Sequence, residues 1–181
     1  GGVIDHVFLD PPTSRPTSEV LASLRSADAI VLGPGSLFTS VIPNLMVEGV
    51  EEALRQLTIP RIYICNVMTQ PGETDGFGAA DHLEALEQHI GSGVVDTIVV
   101  NIATPSEELL RKYEAQGATP VDPQLERLEK MGVKVVGADL LSEHDLVRHD
   151  SKRLATAIVD LLARHHARLK DSKTRHLRVV G

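Results

Sequence analysis

Four short apolar runs constrain this chain more than any other feature: Ala29-Ile30-Val31-Leu32, Arg61-Ile62-Tyr63-Ile64-Cys65, Thr97-Ile98-Val99-Val100 and Val133-Lys134-Val135-Val136. The first three lack polar alternation, so both faces of each strand are expected to be buried, as in a parallel sheet. Parallel neighbours need a crossover, usually a helix. The intervening stretches supply that helical spacing. The expected fold is α/β, a three-layer, mainly parallel sheet with Rossmann-like character. The fourth run, carrying Lys134, suits a strand near an edge.

The remaining elements follow from local signals. Val3 to Leu9 reads as a further strand, and Pro11-Pro12-Thr13-Ser14-Arg15-Pro16 as a linker that cannot be helical. Thr17 or Ser18 caps a helix to about Ser26. A helix from Pro43 carries Leu45, Met46, Val50, Ala53 and Leu54, and Pro60 ends it. Another runs from Ala79 to Ile90, with Gly91 as its stop. Ser106 opens a helix with Leu109, Leu110 and Tyr113 that Gly117 closes. Asp122 and Pro123 open one to Met131. The last begins at Asp150 or Ser151, with Leu154, Ile158, Leu161 and Leu162 inward.

Two loops carry the candidate chemistry. Gly33-Pro34-Gly35-Ser36 follows the first run and leads through Thr39 toward Pro43. A strand, a glycine turn and a helix start together present backbone N–H groups at one spot, which favours an anion such as phosphate. The same pattern serves as an ordinary tight turn, and Ser36 and Thr39 suit a helix cap as well as a phosphate. Asn66 to Gly76 follows the second run with no apolar periodicity and many polar groups, Asn66 and Thr69 among them. Two such loops at the same end of neighbouring parallel strands border one crevice. Asn66 suits a base or ribose edge, and also a turn. Glu73, Asp75 and Asp81 are the carboxylates near this loop. Asp75 and Asp81 are the candidate Mg²⁺ ligands, and Asp81 equally suits the first turn of a helix.

Gly33-Pro34-Gly35-Ser36-Leu37-Phe38-Thr39-Ser40-Val41-Ile42-Pro43-Asn44 and Asn66-Val67-Met68-Thr69-Gln70-Pro71-Gly72-Glu73-Thr74-Asp75-Gly76 resemble the signature segments of the CofD-like family, most closely its gluconeogenesis-factor (YvcK-like) branch. Shorter pieces agree: Ile4 to Leu9, Val95-Asp96, and Leu146-Val147-Arg148-His149-Asp150. The resemblance spans roughly residues 3 to 165. Residues 1–165 then correspond to the C-terminal portion of such a domain, without the family's glycine-rich GGGTG half, and 166–181 to a basic, flexible tail.

The resemblance implies a cytoplasmic bacterial protein that binds a nucleotide-sugar, a UDP-sugar, without an assigned reaction. It implies a role in carbon metabolism, cell-wall precursor supply and cell shape. Tyr113 and Arg148 fall at positions implied to contact the ligand: a tyrosine stacks on a base or sugar, and a guanidinium forks onto a diphosphate. His149 adds a donor beside Arg148. The ligand-binding set is therefore Gly33, Gly35, Ser36, Thr39, Asn66, Thr69, Tyr113, Arg148 and His149, with no catalytic residue. Rival readings are a 2-phospho-L-lactate transferase of deazaflavin cofactor synthesis, which uses Mg²⁺, and a non-catalytic protein-interaction module. A homodimer is expected.

Charge and composition narrow the partners. From residue 151 onward eight basic residues face Asp160 and Asp171, a tail of +6, so residues 1–150 carry −13 of the net −7. An acidic body argues against general nucleic-acid binding, while the basic tail suits an acidic partner or a solvated helix end. No apolar run reaches membrane-spanning length. The single cysteine, Cys65, lies in an apolar strand and reads as a core residue. His82 and His89 share a helix pattern but lack the partners of a zinc site.

Overall fold

The computed structural model describes residues 4–142 and 147–177. Its centre is a four-stranded sheet of β1 (Ile30–Leu32), β2 (Arg61–Ile64), β3 (Thr97–Asn101) and β4 (Lys134–Ala138), in the order β1-β2-β3-β4. Every pair is parallel, with Val31 beside Ile62, Tyr63 beside Ile98 and Ile98 beside Val135. The parallel sheet is as expected and β4 is an edge strand, but β1 is the other edge, and Val31, expected to be buried, is exposed there.

Successive residues point to opposite faces, and both faces are covered. Leu32, Tyr63, Cys65, Ile98 and Val100 face a core built with Leu54, Leu83, Leu86 and Leu128. Those partners come from α3 (Val50–Arg55), α4 (Ala79–Ile90) and α6 (Leu125–Lys130). Ile62, Ile64 and Val99 face the other way, onto Leu154 and Leu161 of α7 (Ser151–Leu177). Truncating such a buried leucine to alanine costs about 2–5 kcal/mol. The layers are therefore crossover helices, sheet, and the last helix. That helix continues through Leu177 into the stretch expected as a tail, and residues 178–181 lie outside the described residues.

Four local expectations are corrected. Residues 4–9 form no strand; the Val7 N–H donates to the His89 ring Nε2 (3.1 Å) instead of to a neighbouring strand, and Val3 lies outside the described residues. The helix expected from Pro43 to Leu54 begins earlier, with a π-helical turn over Leu37–Val41, continues as α2 (Ile42–Leu45), and breaks before α3. Gly49, at φ +87°, holds the left-handed conformation that interrupts it. The helix expected from Asp122 starts only at Leu125, because Gln124 sits at φ +43° with its N–H on the Asp122 carboxylate. After β4 comes an antiparallel ribbon absent from the sequence reading: β5 (Leu141–Ser142) and β6 (Arg148–His149), pairing Leu141 with His149 and Ser142 with Arg148. Leu146, part of the resemblance, lies outside the described residues.

α1 (Ser18–Ser26) and α5 (Glu107–Glu114) complete the set. Among the described residues no helix is long and apolar enough to cross a membrane.

Candidate functional site

The loops after β1 and β2 leave the sheet at its carboxyl edge and meet there. The Asn66 side-chain amide donates to the Gly35 carbonyl (3.0 Å). The Gln70 amide donates to the Ser36 hydroxyl (2.8 Å). Gly33 makes the turn possible: its φ is +81°, and a Cβ there would lie 3.1 Å from the Ile64 carbonyl oxygen. The backbone N–H groups of Gly35 and Ser36 have no acceptor among the described residues. The helical turn behind them is short and begins as a π-turn, so the anion preference rests on these N–H groups more than on a helix dipole.

The ribbon closes the other side. Gly35, Ser36, Asn66, Val67, Met68, Thr69, Gln70, Tyr113, Val147, Arg148 and His149 line one open crevice of about 320 Å³. Seven of the nine residues read from the sequence as ligand-binding are in that lining: Gly35, Ser36, Asn66, Thr69, Tyr113, Arg148 and His149. Gly33 shapes the turn behind it. Thr39 is exposed and outside the lining, with its hydroxyl donating to Glu73 (3.3 Å).

Each residue is held differently. Thr69 is buried, and its backbone N–H donates to the Thr119 carbonyl (2.8 Å) while its hydroxyl accepts the Thr119 N–H (2.9 Å). Tyr113 packs with Leu109 against Val67, Met68, Ala118, Leu141 and Val147. Its hydroxyl accepts the Val147 N–H (2.9 Å). Arg148 is exposed at the mouth, with no ion pair among the described residues. The His149 ring is half-buried and bonded to the Cys65 backbone carbonyl; burial pushes its pKa below 6.5, against the pull of that carbonyl. A neutral His149 beside a charged Arg148 makes Arg148 the crevice's cation. Cys65 itself is buried, and burial raises its thiol to about 12, which makes it an inert core residue.

The acidic candidates are employed elsewhere. Asp75 accepts the Gly72 N–H (2.8 Å) within its own turn. Asp81 accepts the Gly78 N–H (2.7 Å) at the start of α4 and pairs with Arg127 (2.6 Å), which also holds Glu84. Burial works to raise the Asp81 pKa, but these hydrogen bonds and the guanidinium carry it below its usual value. Neither residue lines the crevice, and no group of three His, Cys, Asp or Glu suited to a metal occurs among the described residues.

Gln70 is the main residue that the sequence reading did not single out. Its Nε2 is used by Ser36, while its Oε1 is buried without a partner among the described residues. Its place in the polar run before Pro71-Gly72 was the available signal.

Comparison with known proteins agrees with this architecture. The family model described as 2-phospho-L-lactate transferase CofD matches residues 2–141. The gluconeogenesis factor of Bacillus subtilis is 45% identical over 163 residues, 90% of this chain and 51% of that protein. A putative gluconeogenesis factor of Aquifex aeolicus is 39% identical over 163 residues, 90% of this chain and 50% of that protein. The crystal structure of a UPF0052 family member from Bacillus halodurans superposes with a TM-score of 0.84 at 44% identity, covering 87% of this chain and 51% of that one. The chain thus spans about half the length of the curated relatives it matches. With a family match over residues 2–141 and this shared fold, the chain belongs to the CofD family and is a homologue of the bacterial gluconeogenesis factors.

Proposed function

We propose that the carboxyl-edge crevice binds a nucleotide-sugar, a UDP-sugar, and that the protein acts as a cytoplasmic regulator of carbon metabolism, cell-wall precursor supply and cell shape, working as a homodimer. The observation that carries this reading is the convergence of Arg148, without an ion pair among the described residues, and the N–H groups of Gly35 and Ser36 on one crevice. In a body of net −13, a guanidinium without an ion pair among the described residues, beside N–H groups without an acceptor among them, is the natural counterpart of a diphosphate. Asn66 and Gln70 supply amide groups for a base or sugar, and the Tyr113 ring supplies a flat face. Neither Asp75 nor Asp81 lines the crevice, so a Mg²⁺ ion travelling with the diphosphate would take phosphate oxygens and water as ligands.

The test is calorimetric titration of UDP-N-acetylglucosamine, UDP-glucose and GDP into the protein, with and without Mg²⁺, and into Arg148→Ala. The variant keeps its fold, since Arg148 is exposed, and its affinity falls about ten- to a hundredfold, the worth of a charge-assisted hydrogen bond. Equal affinity in folded Arg148→Ala removes this arginine from the site.

The family model's own description supports a second reading, transfer of a phospholactyl group to a deazaflavin precursor. Turnover of such an acceptor with a guanosine-linked donor and Mg²⁺ would replace the regulator reading.

A further inference from the structure

The opposite, amino edge of the sheet carries a second charged crevice. Down α7, the stripe that faces the sheet begins with Leu154, Ala157, Ile158 and Leu161, all packed on Ile62, Ile64 and Val99. At helical spacing the same stripe continues with Arg164, His165 and Arg168. Beyond Leu161 the stripe leaves the core, and Arg164 and Arg168 are exposed at the rim of the sheet. Here the stripe turns cationic where it passes the starts of β2, β3 and β4. The result is a cavity of about 230 Å³ lined by Arg164, His165, Arg168 and Lys134, with Thr58, Pro60, Asp96, Thr97 and Leu161.

Its charge is not balanced from within. Asp96 is the carboxylate in the lining, and it is already satisfied: it takes the Arg61 N–H (2.9 Å) and guanidinium (3.3 Å) and the Thr97 hydroxyl (2.9 Å). Among the described residues Lys134, Arg164 and Arg168 make no ion pair, although the rest of the chain is rich in carboxylates. Three exposed cations around one small concavity raise its local positive potential, and an anion seated between them would interact with all three. The space is smaller than a typical pocket for a drug-sized ligand.

We propose that this amino-edge crevice is an anion site for a small soluble oligophosphate, separate from the nucleotide-sugar crevice on the carboxyl edge. Two guanidiniums and an ammonium match closely spaced phosphate oxygens, the arginines as forks and Lys134 as a point charge. Arg164, Arg168 and Lys134 converge on one small concavity, which suits the compact charge of linked phosphates better than the spaced carboxylates of an extended acidic peptide.

The probe is inorganic tripolyphosphate, titrated calorimetrically into the full chain carrying Arg148→Ala, so that the carboxyl-edge crevice lacks its cation. The same protein with Arg164→Glu and Arg168→Glu added is the comparison. Tripolyphosphate binds the first protein, and the added substitutions weaken it about tenfold or more for each charge-assisted hydrogen bond removed. Arg164→Lys with Arg168→Lys retains most of the affinity. Melting temperature is recorded for each variant; both arginines are exposed, so the fold persists. Absent binding to the Arg148→Ala protein, or equal affinity after charge reversal, overturns the proposal. Co-sedimentation with phosphatidic acid vesicles in place of tripolyphosphate binding would overturn it in favour of a membrane surface. UDP-sugar affinity of otherwise native protein is unchanged by Arg164→Glu and Arg168→Glu, which separates this site from the proposed nucleotide-sugar site.

Discussion

The Val147 N–H donates to the Tyr113 hydroxyl at 2.9 Å, tying α5 to the ribbon that carries Arg148 and His149. The hydroxyl of Tyr113 is therefore a structural anchor, and under the proposed function its ring is the part that meets the ligand.

Tyr113→Phe keeps the ring and removes the acceptor. Val147 is buried, so its N–H is left unsatisfied, at a cost of about 1–3 kcal/mol. The melting temperature falls, and nucleotide-sugar affinity falls with it because Arg148 is no longer held in place. A variant with unchanged melting temperature would show that the ribbon is anchored by other interactions.

Asn66 couples the two loops through the Gly35 carbonyl. Asn66→Ala lowers stability by about 1 kcal/mol, the net worth of a neutral hydrogen bond. Asn66→Asp is worse, since it sets a carboxylate oxygen against a carbonyl oxygen. Denaturant melts of the two variants give the order; an Asp variant as stable as wild type would mean the side chain turns away from Gly35.

Gly33 holds φ +81°, with the Ile64 carbonyl 3.1 Å from the place of a Cβ. Gly33→Ala costs about 1–2 kcal/mol for the left-handed conformation alone, before the crowding against Ile64 is relieved. Thermal unfolding measures the loss, and calorimetry shows whether the displaced loop still binds.

His82 is buried on α4, with Nδ1 on the Gly78 carbonyl (2.9 Å) and the ring edge-on to Phe77. Burial depresses its pKa below 6.5, opposed by Gly78 and Asp81. Protonation therefore favours the unfolded chain. His82 contributes its full stability above about pH 6.5 and loses it as pH falls from there toward the depressed native value. His149 acts in the same sense. Melting temperature against pH declines on the acid side, and His82→Gln shallows the decline. An unchanged slope in that variant would assign the effect to other groups.

The sheet was legible in the sequence because each strand is built on a short apolar run, with Lys134 marking β4 as an edge. Ile62-Tyr63-Ile64 has only one stable setting, between two cores, and that constraint is local to the run. The glycine turn and the polar loop after Cys65 were legible for the same reason: the left-handed turn at Gly33 and the lack of apolar spacing after Asn66 are properties of neighbouring residues. The breaks at Gly49 and Gln124 were less so, since Leu45, Val50 and Leu54 keep a helical rhythm across the interruption.

What only the tertiary structure decided is which distant residues share a place. The ribbon of Leu141–Ser142 with Arg148–His149 has too little sequence to announce itself, and it forms where the end of β4 and the start of α7 are brought together. That juxtaposition sets Arg148 opposite Gly35 and Ser36, far apart in the chain, while the packing of α4 against α6 pairs Asp81 with Arg127. Strand identity depends on neighbours in sequence. A binding crevice depends on the order in which strands pair, and residue spacing alone does not encode that order.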